Sequence, residues 1–146
     1  MLFAKINRTE PEKILIIVKA GEALLEGRPV CYKFDGTNDG KDAFLADEAV
    51  NATAVVGLAD EAIASGSYGR VLAYGLKTNA QVYGATNFAA NCGAILNVDS
   101  VSSGCLKQSV SVGAATAVQP NFVYANSVSL ALSSGLRDIG VYVRCM

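Results

Sequence analysis

Few residues in this chain are of types that could carry out catalysis. No histidine occurs among its 146 residues, which excludes the usual general base, the Ser-His-Asp triad and the Cys-His pair. The nearest substitutes for a paired acid and base are two neighbouring carboxylate pairs, Asp47-Glu48 and Asp60-Glu61. Adjacent residues point in different directions on a strand or a helix, so we interpret these carboxylates as solvated loop charges. This inventory predicts that the protein is not an enzyme.

The best candidate for a metal site is the run Asp35-Gly36-Thr37-Asn38-Asp39-Gly40, which mimics the start of an EF-hand loop. Its first, third and fifth positions carry oxygen ligands, and its sixth is glycine. The twelfth position is Ala46, where calcium binding needs a bidentate carboxylate. We therefore interpret the run as two tight turns and predict no metal. Because no phosphate-binding loop motif occurs either, we predict no cofactor.

The four cysteines, at positions 31, 92, 105 and 145, include no C-x-x-C pair, and no histidine is present to complete a zinc site. We interpret them as reduced, mostly buried thiols that act as small apolar side chains. A Cys105–Cys145 or a Cys31–Cys92 bridge is the alternative.

The charge balance disfavours nucleic acid and membranes as partners. Twelve basic and thirteen acidic residues give a net charge of −1, so the whole chain has no basic footprint for DNA or anionic lipid. Tyr68, Tyr74 and Tyr83 are interpreted as core or interface aromatics because few basic residues surround them. The longest run of large apolar residues, Ile14 to Val18, is far shorter than the roughly 20 residues that cross a bilayer. We predict no nucleic-acid and no membrane partner.

Residues 1–13 are polar, contain Pro11 and follow neither secondary-structure period, which predicts an extended N-terminal arm that reaches a neighbouring molecule. The charged residues of this arm also interrupt the apolar segment that an export signal requires, so we expect the protein to be made in a cytoplasm. The rest, residues 14–146, is of ordinary size for one domain and predicts a single β-rich domain.

Short β-branched segments separated by turn residues indicate the strands that must build this domain. Ile14–Val18 is predicted as a strand buried on both faces. Val30–Phe34 is predicted to follow Pro29, with Val30, Tyr32 and Phe34 on one face. Lys41–Asn51 has room for one helical turn. Further strands are predicted at Ala54–Leu58, Arg70–Tyr74 ended by Gly75, Gln81–Tyr83 ended by Gly84, Lys107–Val112, Phe122–Leu132 and Ile139–Arg144. This spacing is typical of a mainly β protein with little helix, either a small β-barrel or a β-sandwich.

The charges are unevenly distributed along the chain. Eleven of the thirteen acidic residues lie at or before Glu61, and only Lys77, Asp99 and Lys107 are charged between Gly75 and Gly135. An apolar, nearly uncharged surface is what subunit contacts require, so we expect a homo-oligomer with much of its interface in the C-terminal half. A well-wrapped monomer is the alternative.

Several segments resemble the head decoration, or cement, proteins of tailed bacteriophages. The resemblance covers about residues 19 to 75 and is carried by Lys19 to Val30, Asp35-Gly36, Ala54 to Ala59 and Ser65 to Val71. The run Asp35 to Gly40, followed by Val56-Gly57-Leu58, is similar to the D-G-T-x-D-G and A-V-G-I stretch of lambda-type decoration proteins. The resemblance implies a β-rich subunit, often a trimer, that binds the major capsid protein on the virion exterior and fastens capsomers together.

The resulting hypothesis is a structural protein that stabilises an icosahedral phage head from outside. Such a protein needs buried apolar contact area, a rigid sheet and an arm that can pair with a partner strand. The predicted capsid-contact residues of the arm are Phe3, Lys5, Asn7, Arg8 and Pro11. The alternatives are a tail or fibre component, a lipoyl-like carrier or ligand-binding β-module, and a small enzyme that uses Asp, Tyr or Cys alone.

Overall fold

The computed structural model describes residues 12–34, 37, 40–46, 54–84, 95–98, 104–108, 123–126 and 135–145. Within these ranges the protein has nine strands and no helix, so the expected mainly β class is confirmed. The strands are β1 (Ile14–Lys19), β2 (Pro29–Tyr32), β3 (Ala43–Leu45), β4 (Val55–Ala59), β5 (Tyr68–Gly84), β6 (Ile95–Val98), β7 (Leu106–Gln108), β8 (Val123–Ala125) and β9 (Gly135–Arg144). The arm residues Phe3, Lys5, Asn7, Arg8 and Pro11 lie outside the described ranges.

Five strands close into a small barrel in the order β5-β7-β6-β8-β9. β5 pairs in parallel with β7 where Val82 lies opposite Leu106, and the other neighbours in the ring are antiparallel. The ring closes because β9 pairs with β5 from Tyr74 to Gly84. The small β-barrel named in the sequence-based prediction is therefore present.

The remaining strands form an outer layer around the first half of β5. β1 and β4 pair with β5, β2 pairs with β4, and β3 pairs with β2. A parallel bridge from Ala20 to Ala43 brings the end of β1 back to β3, and the Gly21 N–H donates a hydrogen bond of 2.8 Å to the Ala43 carbonyl oxygen. The outer layer thus curves back on itself.

Two apolar cores lie on opposite sides of the shared sheet β2-β4-β5. The first core lies beneath β1 and contains Val18, Ala20, Leu24, Val30, Ala43, Ala59, Ile63 and Val71. The second core fills the barrel and continues to Cys31, Ala46, Leu58 and Leu72. Consecutive residues of the shared strands therefore enter different cores. Burial on both faces explains why β2, β4 and the Val71-Leu72-Ala73 part of β5 are apolar runs in the sequence.

β5 is one strand of 17 residues, where the sequence predicted two strands ended by Gly75 and Gly84. Gly75 has a φ of +120° and continues the strand. A Cβ atom at this position would lie 2.6 Å from the Glu12 carbonyl oxygen, because residues 12 and 13 cross β5 here. The glycine allows a close chain crossing and does not mark a strand end.

Two other local predictions were wrong, and the helical turn expected within Lys41–Asn51 is absent from the described part of that segment, residues 41–46. β1 is not buried on both faces. Leu15 and Ile17 are exposed, because β1 lies outermost over the first core. Phe34 lies beyond the end of β2 and is exposed. The segment predicted to hold a helical turn contains β3, which forms because Ala43 is buried and Phe44 pairs with Cys31 of β2.

The C-terminal strands were located only approximately from the sequence. β6 was missed, since a four-residue segment with Asn97 in it gives a weak pattern. The described strands β7 and β8 overlap the predicted segments, and β8 ends before Asn126. The other remaining residues of these segments lie outside the described ranges. β9 begins at Gly135, four residues before its predicted start at Ile139, because its pairing with β5 extends to Gly84.

Candidate functional site

The most exposed apolar surface of β1 and β5 lies on the side of these strands that faces away from the first core. We call it the outer face and define it by Leu15, Ile17, Lys19, Tyr68 and Arg70. In the antiparallel pair, Ile17 lies opposite Arg70 and Lys19 opposite Tyr68, so these side chains share one side of the sheet. Ile17 is 74% exposed, Tyr68 is 72% exposed, and Leu15 is also exposed.

The strand sequence explains why these residues point outward. Successive side chains of a strand alternate between faces, and Val18 is buried in the first core with Ile16 packed against it. Leu15 and Ile17 must then point away from that core. The five-residue apolar run of β1 therefore supplies both a buried face and an exposed face. Contiguous exposed apolar side chains of this kind are typical of interaction surfaces.

Ion pairs border the apolar centre of the outer face. Lys19 Nζ lies 3.2 Å from Asp42 Oδ1, and Arg70 Nη2 donates to Glu61 Oε2 at 3.2 Å. The backbone N–H of Arg70 also donates to Glu61 Oε1 at 3.1 Å. The side-chain hydrogen bond from Arg70 is the main cause that lowers the pKa of Glu61, and the same contact raises the pKa of Arg70. An apolar centre with a charged, internally paired rim is the usual anatomy of a protein interface.

A second feature, which the sequence did not reveal, is the buried ammonium group of Lys77. This side chain is 5% exposed. Its Nζ donates to Glu26 Oε1 at 3.0 Å, to the Asp60 carbonyl oxygen at 2.9 Å and to Asp60 Oδ1 at 3.4 Å. All three protons of the ammonium thus have acceptors, as burial of a charge requires. We call Glu26, Asp60, Lys77 and Asn79 the lysine cluster.

A tight loop before β2 brings Glu26 to this cluster. The pairing of β5 with β9 shifts register between Lys77 and Ala80, and the loop packs at that irregularity. Gly27 donates to the Ala59 carbonyl oxygen at 2.9 Å and accepts from the Gln81 N–H at 3.0 Å. A Cβ at Gly27, whose φ is +75°, would collide with the carbonyl oxygen of Asn79, so only glycine allows this approach.

The lysine cluster corrects the interpretation of Asp60-Glu61 as solvated loop charges. The Asp60 side chain is only 20% exposed and pairs with both Lys77 and Arg70. Glu26 is held by a 2.6 Å hydrogen bond from Asn79 Nδ2, which is the main cause that lowers its pKa, followed by the hydrogen bond from Lys77. One signal was present in the sequence, because Lys77 is a rare charge in a charge-poor segment. The Asp47-Glu48 pair lies outside the described ranges.

The described cysteines behave as the sequence predicted. Cys31 and Cys105 are buried thiols, and Cys145 is a partly buried thiol. The Cys105–Cys145 bridge is therefore not formed, and Cys92 lies outside the described ranges. Burial raises the pKa of Cys145 to about 12.

The tyrosines differ from one another in environment. Tyr74 packs edge-to-face on Tyr142, with ring centroids 5.2 Å apart. The hydrogen bond with Tyr74 is the main cause that raises the pKa of Tyr142. Tyr68 is not a core residue, since it projects from the outer face.

The described part of the EF-hand-like run behaves as a turn. Gly40 has a φ of +73°, and its N–H donates to the Lys33 carbonyl oxygen at 2.9 Å. Ala46, at the twelfth position of the run, is buried, whereas Asp35 and Asp39 lie outside the described ranges. Among the described residues no group of three or more potential metal ligands is gathered. No helix within the same ranges has the length and apolar character of a membrane span.

No protein-family model matches the chain, and no curated protein is found to match it.

Proposed function

We propose that the protein is a capsid decoration, or cement, protein that binds the outer surface of an icosahedral phage head and stabilises the shell. The observation that carries the proposal is the outer face, where Ile17 and Tyr68 are both largely exposed on the same side of the β1–β5 pair. The β-rich subunit that the resemblance implies supports it further. In this proposal the protein acts by binding and not by catalysis.

Burial of the outer face against the major capsid protein would supply the binding free energy. Full burial of a side chain such as Ile17 contributes about 1.5–3 kcal/mol. A contact of this size is weak alone, but many copies on a symmetric shell add their effects. Subunits that bind only the expanded shell stabilise it by mass action.

The N-terminal arm is proposed to bind next to the outer face. β1 begins at Ile14, so the arm, residues 1–13, directly precedes Leu15 and Ile17 in the sequence. Phe3, Lys5, Asn7, Arg8 and Pro11 are the proposed contact residues of the arm. An extended arm can add a strand to the sheet of a partner. A homo-oligomer, as a trimer on the virion exterior, would present several arms at once.

The proposal is tested by mixing the purified protein with undecorated expanded phage shells and imaging them by electron microscopy. Ordered extra density on the shell is expected for the wild type. Ile17→Ser is expected to reduce occupancy by at least tenfold and to leave the fold intact, since Ile17 is largely exposed. Leu136→Ser is the matched control, because Leu136 is exposed near the opposite end of β5, where it pairs with Tyr83.

Wild-type protein that leaves the shells bare would contradict the proposal. Binding to purified tails, but not to heads, would favour a tail or fibre component. Equal binding by Ile17→Ser and Leu136→Ser would show that the outer face is not the contact surface.

A further inference from the structure

The lysine cluster brings together three groups that can form a covalent bond, and the proposed shell binding makes no use of them. Lys77 supplies an amine, Asp60 supplies a carboxyl group on the adjacent strand end, and Glu26 supplies a second carboxylate. The amine is buried and lies 3.0 Å from Glu26 Oε1 and 3.4 Å from Asp60 Oδ1. Such a buried nucleophile held against a carboxyl group is arranged for condensation as well as for an ion pair.

We propose that the side chains of Lys77 and Asp60 condense into an intramolecular amide bond in the folded protein, with Glu26 relaying the protons. The bond forms between Lys77 Nζ and Asp60 Cγ, and the bond between Cγ and Oδ1 breaks. The ammonium and the carboxylate together give one amide and one water, so atoms and charge balance without any other reactant.

Proton transfer is the role of Glu26. Its Oε1 accepts a proton from Lys77 Nζ, to which it is hydrogen-bonded, and delivers it to Asp60 Oδ1. The neutral amine then attacks the neutral carboxyl carbon. Glu26 takes the second proton from nitrogen and passes it to the departing oxygen, which leaves as water. Glu26 ends the sequence as the carboxylate it was at the start.

Arg70 lies beside the carboxyl group that reacts. The other carboxyl oxygen, Asp60 Oδ2, lies 3.7 Å from Arg70 Nη2. This guanidinium is placed to stabilise the negative charge that develops on Oδ2 during the attack.

Asp60 is the reacting carboxyl group because it is the better fixed of the two. Its backbone carbonyl oxygen accepts from the same Nζ at 2.9 Å, which holds the main chain of Asp60 beside the amine. Its side chain is 20% exposed, against 46% for Glu26. The hydrogen bond from Asn79 Nδ2 holds Glu26 Oε1 beside the amine, where this oxygen also accepts from Lys77 Nζ.

The product would tie the end of β4 to the middle of β5. β4 belongs to the outer layer and β5 to the barrel, so the amide would add a covalent link between these two parts of the fold.

The test is the intact mass of the purified, reduced and denatured wild-type chain. The expected result is a mass lower by one water than the sequence requires, together with a branched tryptic peptide that joins Lys77 to Asp60. A wild-type chain that keeps the full sequence mass after prolonged incubation overturns the proposal. A branched peptide that contains Glu26 in place of Asp60 overturns the assignment of the reacting acid.

Two variants separate this bond from other losses of water. Lys77→Met removes the amine and is expected to show its full sequence mass. It keeps the Asp35-Gly36 and Asp39-Gly40 sequences, which can also lose water, so it controls for that loss. Glu26→Gln keeps the amine and Asp60 but removes the relay, so bond formation is expected to slow by about a hundredfold or more. Equal rates in Glu26→Gln and wild type would show that Glu26 is not the relay.

Discussion

Val71 and Leu72 are neighbours in β5, yet their side chains are buried in different cores. Val71 packs beneath β1, and Leu72 packs toward the barrel. The same alternation recurs at Leu58 and Ala59 in β4. Three strands contribute side chains to both cores. Loss of one core would therefore expose one face of the sheet whose opposite face forms the second core.

Truncation in either core is expected to destabilise the whole described fold. Leu24→Ala in the first core and Leu72→Ala in the second should each lower the free energy of unfolding by about 2–5 kcal/mol, since both side chains are fully buried. Urea unfolding, followed by circular dichroism and by tyrosine fluorescence, should show one coincident transition for each variant. Leu25→Ala is the control, because Leu25 is exposed and its loss should have little effect. Separate transitions for the two probes would mean that the cores unfold independently.

The crossing at Gly75 predicts a specific cost of adding a side chain. Gly75→Ala should destabilise the protein by more than Gly66→Ala, because both positions have positive φ but only a Cβ at Gly75 meets the backbone of Glu12. Gly66→Ala should cost about 1–2 kcal/mol from its left-handed conformation alone. Thermal or chemical unfolding of the two variants measures the difference. Equal losses would show that the chain crossing tolerates a methyl group.

Removal of the arm is expected to weaken shell binding and spare the fold. A chain without residues 1–11 keeps Glu12, which packs at Gly75, and every described residue of the two cores. Its unfolding midpoint should match that of the full chain, while its occupancy on expanded shells falls. Undiminished occupancy in electron micrographs would refute the arm assignment.

The thiol of Cys145 is expected to resist alkylation at neutral pH. Only the thiolate reacts, and burial raises its pKa from 9.0 to about 12, which lowers the thiolate fraction at neutral pH by about a thousandfold. The reaction rate with iodoacetamide, read at the Cys145 peptide by mass spectrometry, should rise steeply only as the pH approaches 12. Protein unfolded in urea is the reference and should react near the ordinary pKa. Rapid labelling of the folded chain at neutral pH would contradict the burial.

The same shift fixes the sign of a pH effect on stability. The folded state favours the neutral thiol, so this contribution is fully present below pH 9.0 and is lost as the pH rises toward 12. Cys145→Ala should reduce this alkaline loss of stability relative to wild type.

Local sequence patterns predicted the β class and the position of several strands, because apolar runs such as Ile14–Val18 and Ala54–Leu58 depend on neighbouring residues only. They failed where a distant segment decides the outcome. Gly75 looked like a strand end, but β5 continues through it, with the backbone of Glu12 packed against it. Ala43–Leu45 has a weak pattern of its own and becomes a strand through its pairing with β2.

The lysine cluster could not be assembled from the sequence for the same reason. Glu26, Asp60 and Lys77 are far apart in the chain, and only the packing of the loop at Gly27 against β5 unites them. The outer face was closer to being predictable. An apolar strand at the surface of a sheet has two faces, and β1 was assumed to bury both because its sequence does not say which neighbours cover it.

The closure of the barrel by β5 and β9 has a consequence for biosynthesis. These two strands pair along most of β9, although β6, β7 and β8 lie between them in the sequence. A nascent chain therefore carries an unpaired edge along the second half of β5 until β9 has left the ribosome. Unpaired strand edges promote aggregation. The growing chain is therefore most prone to aggregate after β5 has been synthesised and before β9 is available to pair with it.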